Sequence, residues 1–451
     1  MLMLYLVIMN INPKIFRAYD VRGVYGEDIS EDIFYTLGGG FASYIDPAQN
    51  GARKGKIAVG RDIRPSSLSL SDSFVNGLKD SGIDVLNIGE ATTPMLYFAV
   101  DHLGCDGGAM ITASHNPQTY NGIKFTDKNA QPIGGVDIER FLREAKLKDF
   151  NKKGAEKSIN VSGDYLDLIT KNFKINRKIK INIDTRESVV GLFLPSFLEK
   201  MGIEVCASSD ADFSVSFDAD GDRLKVFDEN KNEIRGDIVG GIIADAFLEK
   251  GDLIIQDVVS TRKLKKHFQE KGIRTEISRV GHFYIKKAMK EKNAVFGLEI
   301  SSHYYFGQLN YVESALFALR MLLEALDKNS GLKISELADR FSGYFHSGEI
   351  NLPLSSKGEW DKILEKVKEK YGDGNQNFED GILVEYPNPV TNGTSPASGG
   401  ASWWFNLRPS NTEPLMRLVI EAETETLMEE KKEEILEFLD DVFGDGQNNT
   451  K

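Results

Sequence analysis

Residues 56–89 read KIAVGRDIRPSSLSLSDSFVNGLKDSGIDVLNIG. Two short β-branched runs, KIAVG and IDVLNIG, flank a longer amphipathic run, which is the pattern of a strand, a helix and a second strand. A third apolar run, GGAMITAS at residues 107–114, extends the series. Strands that alternate with longer helical patterns predict a sheet covered by helices, so this segment places the chain in the α/β class.

The same alternation recurs along the chain in blocks of similar size, and 451 residues are more than one hydrophobic core usually serves. We expect three consecutive α/β domains with mixed sheets, followed by a smaller α+β domain, arranged around a central cleft. A lysine-rich connector at residues 146–158 marks the first boundary. The predicted domain limits are residues 1–155, 156–250, 251–344 and 345–451.

The formal net charge is −13, so the protein as a whole repels nucleic acid and anionic membranes. The two cysteines, Cys105 and Cys206, lie far apart and give no disulfide or zinc framework, which is typical of a reducing compartment. Residues 1–9 are apolar, but this run is too short to span a bilayer and lacks the features of a cleaved signal peptide. We therefore expect a cytoplasmic protein with neither nucleic acid nor a membrane as a partner.

The segment DADGDR, residues 218–223, carries three aspartates at alternate positions. Carboxylates on one side of a tight loop suit a hard divalent cation, so Asp218, Asp220 and Asp222 predict a metal site. An EF-hand calcium loop would use the same aspartates with Glu229, but Arg223 stands where its sharp turn needs a glycine, and the flanking residues are strand-like. An acidic surface loop is the simpler alternative.

The segment LRPSNTEPLMR, residues 407–417, is rich in side-chain donors within a turn. Arginine presents a planar fork that matches pairs of phosphate oxygens, and hydroxyls, amides and backbone N–H groups add further donors. A turn that simply joins two strands satisfies the same composition. The candidate phosphate-binding residues are Arg408, Ser410, Asn411 and Thr412.

The segment GLEISSHYYF, residues 297–306, places Glu299, Ser301 and His303 at alternate positions. On an extended segment these three side chains point to one side, which suits a polyhydroxylated ligand. A polar strand edge is the alternative interpretation.

The segment TASHNP, residues 112–117, interrupts an apolar run with a hydroxyl, an imidazole and an Asn-Pro pair. The pair is typical of a turn, and that structural interpretation accounts for most Ser-His pairs. Ser114, however, follows a strand that we expect to be parallel, and open α/β sheets bind ligands at the carboxyl ends of such strands. Lys124 is a candidate proton carrier for this hydroxyl.

These loops, in this order, resemble those of the α-D-phosphohexomutase superfamily, and the resemblance covers nearly the whole chain. FRAYDVRG and SSHYYF are similar to segments of the phosphomannomutase/phosphoglucomutase group, and within it to bacterial phosphomannomutases. The seven motifs that carry the resemblance are FRAYDVRG (16–23), GRDIRPSS (60–67), TASHNP (112–117), DADGDR (218–223), RVGHFYIKK (279–287), GLEISSH (297–303) and RPSNTEP (408–414).

The resemblance implies a phosphoserine at Ser114, and Mg²⁺ on Asp218, Asp220 and Asp222 together with the serine phosphate. Arg22, His115 and Lys124 would complete the catalytic group, with Lys124 as the general acid or base. The residues implied to bind substrate are Tyr19, Arg223, Arg279, His282, Glu299, Ser301, His303, Arg408, Ser410, Asn411, Thr412 and Arg417.

The implied reaction interconverts mannose 6-phosphate and mannose 1-phosphate through a hexose 1,6-bisphosphate, catalysed by a monomer or weak homodimer. Phosphoglucomutase activity, alone or on the same site, is the alternative within the family, and a sugar-phosphate sensor without catalysis is the alternative outside it. The chain departs from the family pattern at Ser302, Val259 and Ile238, where relatives carry glycine, lysine and arginine. These changes bear on ligand contacts and not on the reaction type.

Overall fold

The computed structural model describes residues 11–45, 55–144, 153–207, 210–354, 356–387, 401–410 and 415–447. Within these residues the chain forms four sheets, each with its own helices. None of the described helices is both long enough and apolar enough to cross a lipid bilayer.

The first unit contains a seven-stranded sheet. Its strands are β1 (Val21–Val24), β2 (Lys56–Arg61), β3 (Asp84–Glu90), β4 (Gly107–Ile111), β5 (Tyr120–Asp127), β6 (Pro132–Ile133) and β7 (Glu156–Ser158). Its helices are α1 (Glu31–Ile45), α2 (Ser67–Asp80), α3 (Thr93–His102) and α4 (Gly135–Glu144). β4 is buried along its whole length because α3 covers one face of the sheet and apolar side chains from α1 and α2 cover the other.

The second unit contains a five-stranded sheet. Its strands are β8 (Lys180–Asp184), β9 (Glu204–Val205), β10 (Phe213–Phe217), β11 (Leu224–Phe227) and β12 (Glu233–Ile234). Helices α5 (Ser162–Thr170) and α6 (Leu194–Met201) accompany this sheet.

The third unit also contains a five-stranded sheet. Its strands are β13 (Leu253–Asp257), β14 (Arg274–Ser278), β15 (Phe296–Leu298), β16 (Tyr304–Phe306) and β17 (Val312–Glu313). Its helices are α7 (Gly236–Phe247), α8 (Arg262–Glu270), α9 (His282–Lys292), α10 (Ala315–Lys328) and α11 (Ile334–Ala338). α10 begins at a side-chain cap, because the Ser314 hydroxyl accepts the Phe317 N–H at 3.1 Å.

One five-strand arrangement recurs in these three units. The neighbours run β3-β2-β4-β5-β6 in the first, β9-β8-β10-β11-β12 in the second and β14-β13-β15-β16-β17 in the third. In each arrangement the first three strands run parallel to one another. The fourth strand is antiparallel to the third, and the fifth is antiparallel to the fourth. The motifs TASHNP, DADGDR and GLEISSH therefore occupy the same place, the loop between the third and fourth strands of each arrangement.

The fourth unit differs, because all its strand pairs are antiparallel. Its strands are β18 (Phe345–His346), β19 (Ile350–Pro353), β20 (Asn375–Asn377), β21 (Ile382–Tyr386), β22 (Trp403–Pro409) and β23 (Leu415–Ala422). Its helices are α12 (Lys357–Lys370) and α13 (Glu425–Gln447). The predicted class, three α/β domains with mixed sheets and a smaller α+β domain, is confirmed.

Two elements join a different unit from the one to which the predicted domain limits assign them. β7 lies beyond residue 155 yet pairs with β3, because the chain continues along the edge of the first sheet before it leaves. α7 precedes residue 250 yet packs mainly against α10 of the third unit. The remaining limits stay a prediction. Residues 1–9 and most of the 146–158 connector lie outside the described residues.

Candidate active site

Ser114 lies in the loop that follows β4, at the carboxyl end of a strand that is parallel to β2, as predicted. Its backbone has φ of 50°, in the left-handed region that costs a side-chain-bearing residue free energy. The Ser114 hydroxyl donates a hydrogen bond of 2.9 Å to Oδ2 of Asp218, and it lies 3.4 Å from Nδ1 of His115. The loop thus presents a hydroxyl to the metal motif of the second unit.

Arg64 holds this loop in place, and the sequence assigned it no role although it lies in the quoted motif GRDIRPSS. Its Nη2 donates to the carbonyls of Ser114 and Asn116, both at 2.6 Å. Its Nη1 donates to the carbonyls of Pro117 at 2.7 Å and Tyr120 at 3.1 Å. One planar guanidinium therefore fixes four carbonyls of the loop, including that of the strained serine.

Asp62 supports Arg64 in turn. The Asp62 carboxylate is fully buried and lies 3.1 Å from Arg64 Nε. It also accepts the Arg64 N–H at 3.0 Å and the Ser67 hydroxyl. Asp62 therefore orients the Arg64 guanidinium toward the loop carbonyls, and this arrangement needs no ligand.

Arg22 reaches the same loop from β1. Its Nη1 donates to Asn116 Oδ1 at 2.6 Å, and its Nη2 pairs with Asp20. His115 faces two cations, so Arg223, burial and Arg22 together lower the pKa of its imidazole to about 3. His115 is therefore neutral and can accept or donate a hydrogen bond beside the serine.

The metal motif forms the hairpin between β10 and β11, so its flanks are strands and not the helices of an EF-hand. One ligand oxygen from each of Asp218, Asp220 and Asp222 can be chosen so that all three lie within 4.8 Å of one another. Glu229, the fourth residue of the calcium alternative, is instead bonded to the Ser335 hydroxyl at 2.6 Å.

Two further observations fit a divalent cation at these carboxylates. Oδ1 of Asp220 and Oδ1 of Asp222 are buried and accept no hydrogen bond from the described residues, although the latter lies 3.3 Å from His303 Nε2. Burial and the neighbouring carboxylates of Asp222 and Asp220 raise the pKa of Asp218 well above its usual range, as expected where negative charges are crowded together. Oxygen donors alone are the ligand set of Mg²⁺ and Ca²⁺.

Lys124 reaches the metal motif from β5. Its Nζ lies 2.6 Å from Asp220 Oδ2 and 2.5 Å from Asp222 Oδ2. Burial by itself lowers the pKa of Lys124, but the carboxylates of Asp220 and Asp222 outweigh burial and raise the pKa above its usual range. Thr93, at the start of α3, donates its hydroxyl to the same Asp220 oxygen at 2.5 Å, which joins the first unit to the motif a second time.

The third motif is a tight turn and not an extended segment, so that part of the prediction was wrong. Leu298 and Tyr304 are cross-strand partners, and residues 299–303 turn the chain between them. The side chains converge because of this turn: His303 Nδ1 lies 3.0 Å from Glu299 Oε2 and 3.0 Å from Ser301 Oγ. Ser302 has φ of 70° here, a left-handed conformation that glycine would adopt without strain.

His303 connects this turn to the metal motif. Its Nδ1 faces Glu299, and its Nε2 lies 3.3 Å from Asp222 Oδ1. Burial and Arg223 lower the pKa of His303, but Asp222 and Glu299 outweigh them and raise it to about 9. Glu299 is held further by the Gly281 N–H at 2.7 Å.

His282 begins α9 beside Tyr19. The two rings meet edge to face at 5.4 Å, and the Tyr19 phenol donates to the Val280 carbonyl at 3.0 Å. His282 Nδ1 is buried without a hydrogen-bond partner among the described residues. Burial and the charge of Lys286 lower the pKa of His282 well below its usual range, so the ring is neutral.

The fourth unit supplies two arginines that face each other across β22 and β23. Arg408 and Arg417 are cross-strand partners. The two oxygens of Glu349 bridge them, at 2.7 Å from Arg408 Nη2 and 2.8 Å from Arg417 Nη1. Asp380 lies 3.8 Å from Arg408 Nε and accepts the Val280 N–H at 3.0 Å, which ties this unit to the third.

Side chains from all four motifs line one cavity of about 220 Å³, with Asp222 as the aspartate of the metal motif. Asp218 lines an adjoining cavity of about 260 Å³, which shares Ser114, His115 and Arg223 with the first, and Asp220 lines neither. Arg279 is the one described member of the predicted substrate-binding set that does not line the first cavity, because its guanidinium lies over the Tyr284 ring at 4.2 Å. Asn411 and Thr412 lie outside the described residues. The predicted residues that do line the first cavity are Tyr19, Arg22, Ser114, His115, Lys124, Asp222, Arg223, His282, Glu299, Ser301, His303, Arg408, Ser410 and Arg417.

Comparison with known proteins identifies this arrangement. Family models for phosphoglucomutase/phosphomannomutase match alpha/beta/alpha domain I at residues 13–152, alpha/beta/alpha domain III at 235–344 and the C-terminal domain at 349–438. A phosphomannomutase of Escherichia coli is 34% identical over 94% of this chain and 98% of its own length. The chain belongs to the phosphoglucomutase/phosphomannomutase family, within the α-D-phosphohexomutase superfamily.

Two further relatives of this phosphohexomutase bear on its substrate and its fold. A phosphoglucomutase of Neisseria gonorrhoeae is 31% identical over 93% of the chain and 95% of its own length. A crystal structure of a phosphoglucomutase/phosphomannomutase family protein from Burkholderia thailandensis superposes with a TM-score of 0.82 at 25% identity, over 96% of this chain and 98% of that one.

Val259 and Ile238 are the other two positions at which the chain departs from the family pattern, and neither lines the cavity. Val259 is 1% exposed and packs with Leu383, Trp404 and Val419 in an apolar cluster between the third and fourth units. Ile238, on α7, is partly buried against the main core. Both side chains therefore contribute apolar packing in this chain.

Proposed function

We propose that this chain is a phosphomannomutase that interconverts mannose 6-phosphate and mannose 1-phosphate. The observation that carries the proposal is the cavity in which the Ser114 loop, Asp222 of the metal motif, the turn at residues 299–303 and the arginines of β22 and β23 converge. The name of the Escherichia coli relative, which matches along nearly the whole chain, supports this reaction.

Ser114 is the proposed phosphoryl carrier. In the first half-reaction the bond between phosphorus and Ser114 Oγ breaks, a bond to a free hydroxyl oxygen of the hexose phosphate forms, and the hydroxyl proton passes through a base to the released Ser114 Oγ. The resulting hexose 1,6-bisphosphate reorients, and its other phosphoryl group returns to Ser114 while the freed sugar oxygen regains a proton. Lys124 is proposed to carry this proton, because its Nζ lies against the metal motif and its side chain lines the cavity. A cation bound at the aspartates would offset the carboxylates that raise the pKa of Lys124, and so allow it to release and accept a proton.

The charges around Ser114 suit phosphoryl transfer. Mg²⁺ is the proposed metal on Asp218, Asp220 and Asp222, where it would offset the negative charge of the transferring group. Arg22 and Arg223 line the same part of the cavity and supply fixed positive charge. Neutral His115 is proposed to orient the phosphoryl group by a hydrogen bond.

The other residues divide the substrate between them. Glu299, Ser301 and His303 are proposed to bind the sugar hydroxyls, with His282 and Tyr19 beside them. Arg408 and Arg417, with Ser410, Asn411 and Thr412, are proposed to bind the phosphate that does not react. Arg279 is retained as a weaker candidate, since it lies off the cavity lining.

Phosphoglucomutase activity on the same site is the second candidate, and it has less support, because one of the relatives compared bears that name whereas several are phosphomannomutases. Comparison of kcat/KM for mannose 1-phosphate and glucose 1-phosphate, each with trace hexose 1,6-bisphosphate, decides between the two. A higher value for glucose 1-phosphate would overturn the mannose assignment, and binding without turnover of either sugar would favour the sensor alternative.

Ser114→Ala tests the carrier. We expect loss of turnover and loss of the phosphorylated peptide in mass spectrometry. Ser71→Ala is the matched control, because Ser71 is also buried at 3% exposure but lies on α2 away from the cavity. An active Ser114→Ala variant would contradict the mechanism.

A cytoplasmic location, hexose phosphates as the partners, and a monomeric or weakly dimeric state complete the proposal. Sedimentation velocity over a range of protein concentrations tests the last of these, since a tight oligomer would sediment as one species at every concentration.

A further inference from the structure

A buried polar cluster lies behind the sugar site and joins the first unit to the third. The Tyr97 phenol, on α3, donates to Glu313 Oε1 at 3.1 Å. Lys286 Nζ, on α9, lies 2.6 Å from Glu313 Oε2 and 3.9 Å from the centre of the Tyr97 ring. We call Tyr97, Lys286 and Glu313 the bracket.

The bracket is costly to bury. Lys286 is 0% exposed, Glu313 1% and Tyr97 3%, and none of the three lines the substrate cavity. A buried ion pair adds little net stability over apolar residues of similar size, because desolvation offsets the attraction. The Tyr97 hydrogen bond, in contrast, is directional and orients the Glu313 carboxylate. Lys286 pairs with the same carboxylate by charge at 2.6 Å, without hydrogen-bond geometry between Nζ and Oε2.

Lys286 and Glu313 are each connected to a residue that is proposed to bind the sugar. Lys286 lies one helical turn after His282 on α9, so fixing Lys286 fixes the start of the helix. Glu313 is the cross-strand partner of Tyr305, and the Tyr305 phenol donates to Glu299 Oε2. His282 Nδ1 has no hydrogen-bond partner of its own among the described residues, so backbone placement must aim it.

We propose that Tyr97, Lys286 and Glu313 are positioning residues that hold His282 and Glu299 in register with the Ser114 loop, and so set affinity for the sugar. The assignment rests on the proposed function of the cavity and deepens it. The bracket acts on ground-state binding of the sugar, because the same side chains are proposed to hold the sugar in each phosphoryl transfer, before and after the bisphosphate reorients. Loss of such uniform binding raises KM and leaves kcat nearly unchanged.

The test compares two phenol deletions. Tyr97→Phe removes the hydrogen bond to Glu313, whereas Tyr165→Phe removes one to Ser314 Oγ of 2.7 Å. The pair is matched, because both tyrosines are 3% exposed and both line the same cavity of about 210 Å³ between the units. We expect Tyr97→Phe to raise KM for mannose 1-phosphate about fivefold with kcat changed less than about twofold, and Tyr165→Phe to leave both unchanged.

A second readout does not depend on turnover. In the Ser114→Ala background, calorimetric Kd values for mannose 1-phosphate should show the same fivefold loss for Tyr97→Phe and none for Tyr165→Phe. Wild-type protein that binds the sugar phosphate without isomerising it would defeat the proposed function but leave this comparison intact. Equal effects of the two deletions on Kd, or a lower melting temperature with unchanged Kd, would overturn the proposed positioning role of the bracket.

Glu313→Asp covers the case in which Tyr97→Phe fails to fold. It keeps the charge and shortens the reach by one methylene, so it should raise Kd while Lys286 stays paired. Combined with Tyr97→Phe it should cost less than the sum of the single changes, because both act through one carboxylate. Additive effects would contradict the proposal.

Discussion

The hydroxyl of Ser114 donates to Asp218 at 2.9 Å, although the two residues are 104 positions apart. They meet because each lies in the loop after the third strand of the same five-strand arrangement, in two successive units. Repetition of one fold therefore brings a nucleophile loop and a metal loop together, and the third repeat adds the sugar turn.

Asp220→Asn should weaken the metal site. The variant removes one negative charge from the three carboxylates, so we expect Mg²⁺ affinity to fall about tenfold or more. Titration calorimetry with Mg²⁺ measures this directly. Asp228→Asn is the control, because Asp228 is also buried at 8% exposure but only caps the turn after β11; equal losses in the two variants would argue against a site at residues 218–222.

Arg64→Met should lower kcat. Without the guanidinium the four carbonyls of the Ser114 loop lose their donors, and a small displacement of the nucleophile costs on the order of 100-fold in rate. Arg64→Lys should not restore the rate, because one ammonium cannot span four carbonyls.

Arg61→Met is the control for Arg64, since Arg61 pairs with Glu90 at 3.0 Å and makes no contact with the loop carbonyls among the hydrogen bonds described here. Steady-state kinetics at a temperature where all variants are folded separates the rate effect from stability. Recovery of kcat by Arg64→Lys would contradict the proposal that the Arg64 guanidinium holds the Ser114 loop.

Gly281→Ala should disturb the sugar site. Gly281 has φ of 121°, and a Cβ there would lie 2.6 Å from the Tyr19 hydroxyl oxygen. Strain and the clash together should cost about 1–3 kcal/mol and raise KM. Gly251→Ala supplies the comparison, because Gly251 has φ of 97° with no atom within 4 Å of its Cβ position; a KM that rises equally in both would leave the Tyr19 contact without a role.

Asp257→Asn should change how stability depends on pH. Burial and then Glu299 raise the pKa of Asp257 to about 7 in the folded state, against 3.8 in the unfolded chain. The folded state therefore binds the proton more tightly, and this group's contribution to the free energy of unfolding falls by up to about 4 kcal/mol as pH rises from 4 to 7. Asparagine removes that dependence, so wild type should lose stability relative to the variant across this range in urea unfolding.

Asp237→Asn gives the opposite sign. Asp237 is also fully buried, but Arg235 outweighs burial and lowers its pKa, so its contribution is present at neutral pH and lost as pH falls. Parallel pH trends in the two variants would show that burial alone, and not the neighbouring charges, governs both carboxylates.

Much of the site could be predicted from local sequence. TASHNP and DADGDR each lie in a loop between two paired strands, and turn residues with ligand-type side chains are recognisable without knowledge of packing. The ligand predicted for GLEISSH stays a prediction, and its predicted backbone was wrong, because alternate spacing predicts one face of a strand whereas Ser302 in the left-handed region makes a turn.

The sequence by itself determined the alternation of strands and helices, the four domains and the chemical character of each loop, since these depend on neighbours within about ten residues. Only the tertiary structure decided that Arg64 holds the Ser114 loop, that His303 faces Asp222, and that Tyr97 meets Glu313 across 216 positions. Those contacts depend on how separate sheets pack against one another. Hydrophobic periodicity selects the buried face of each element, but it carries no information about which buried polar group will lie opposite.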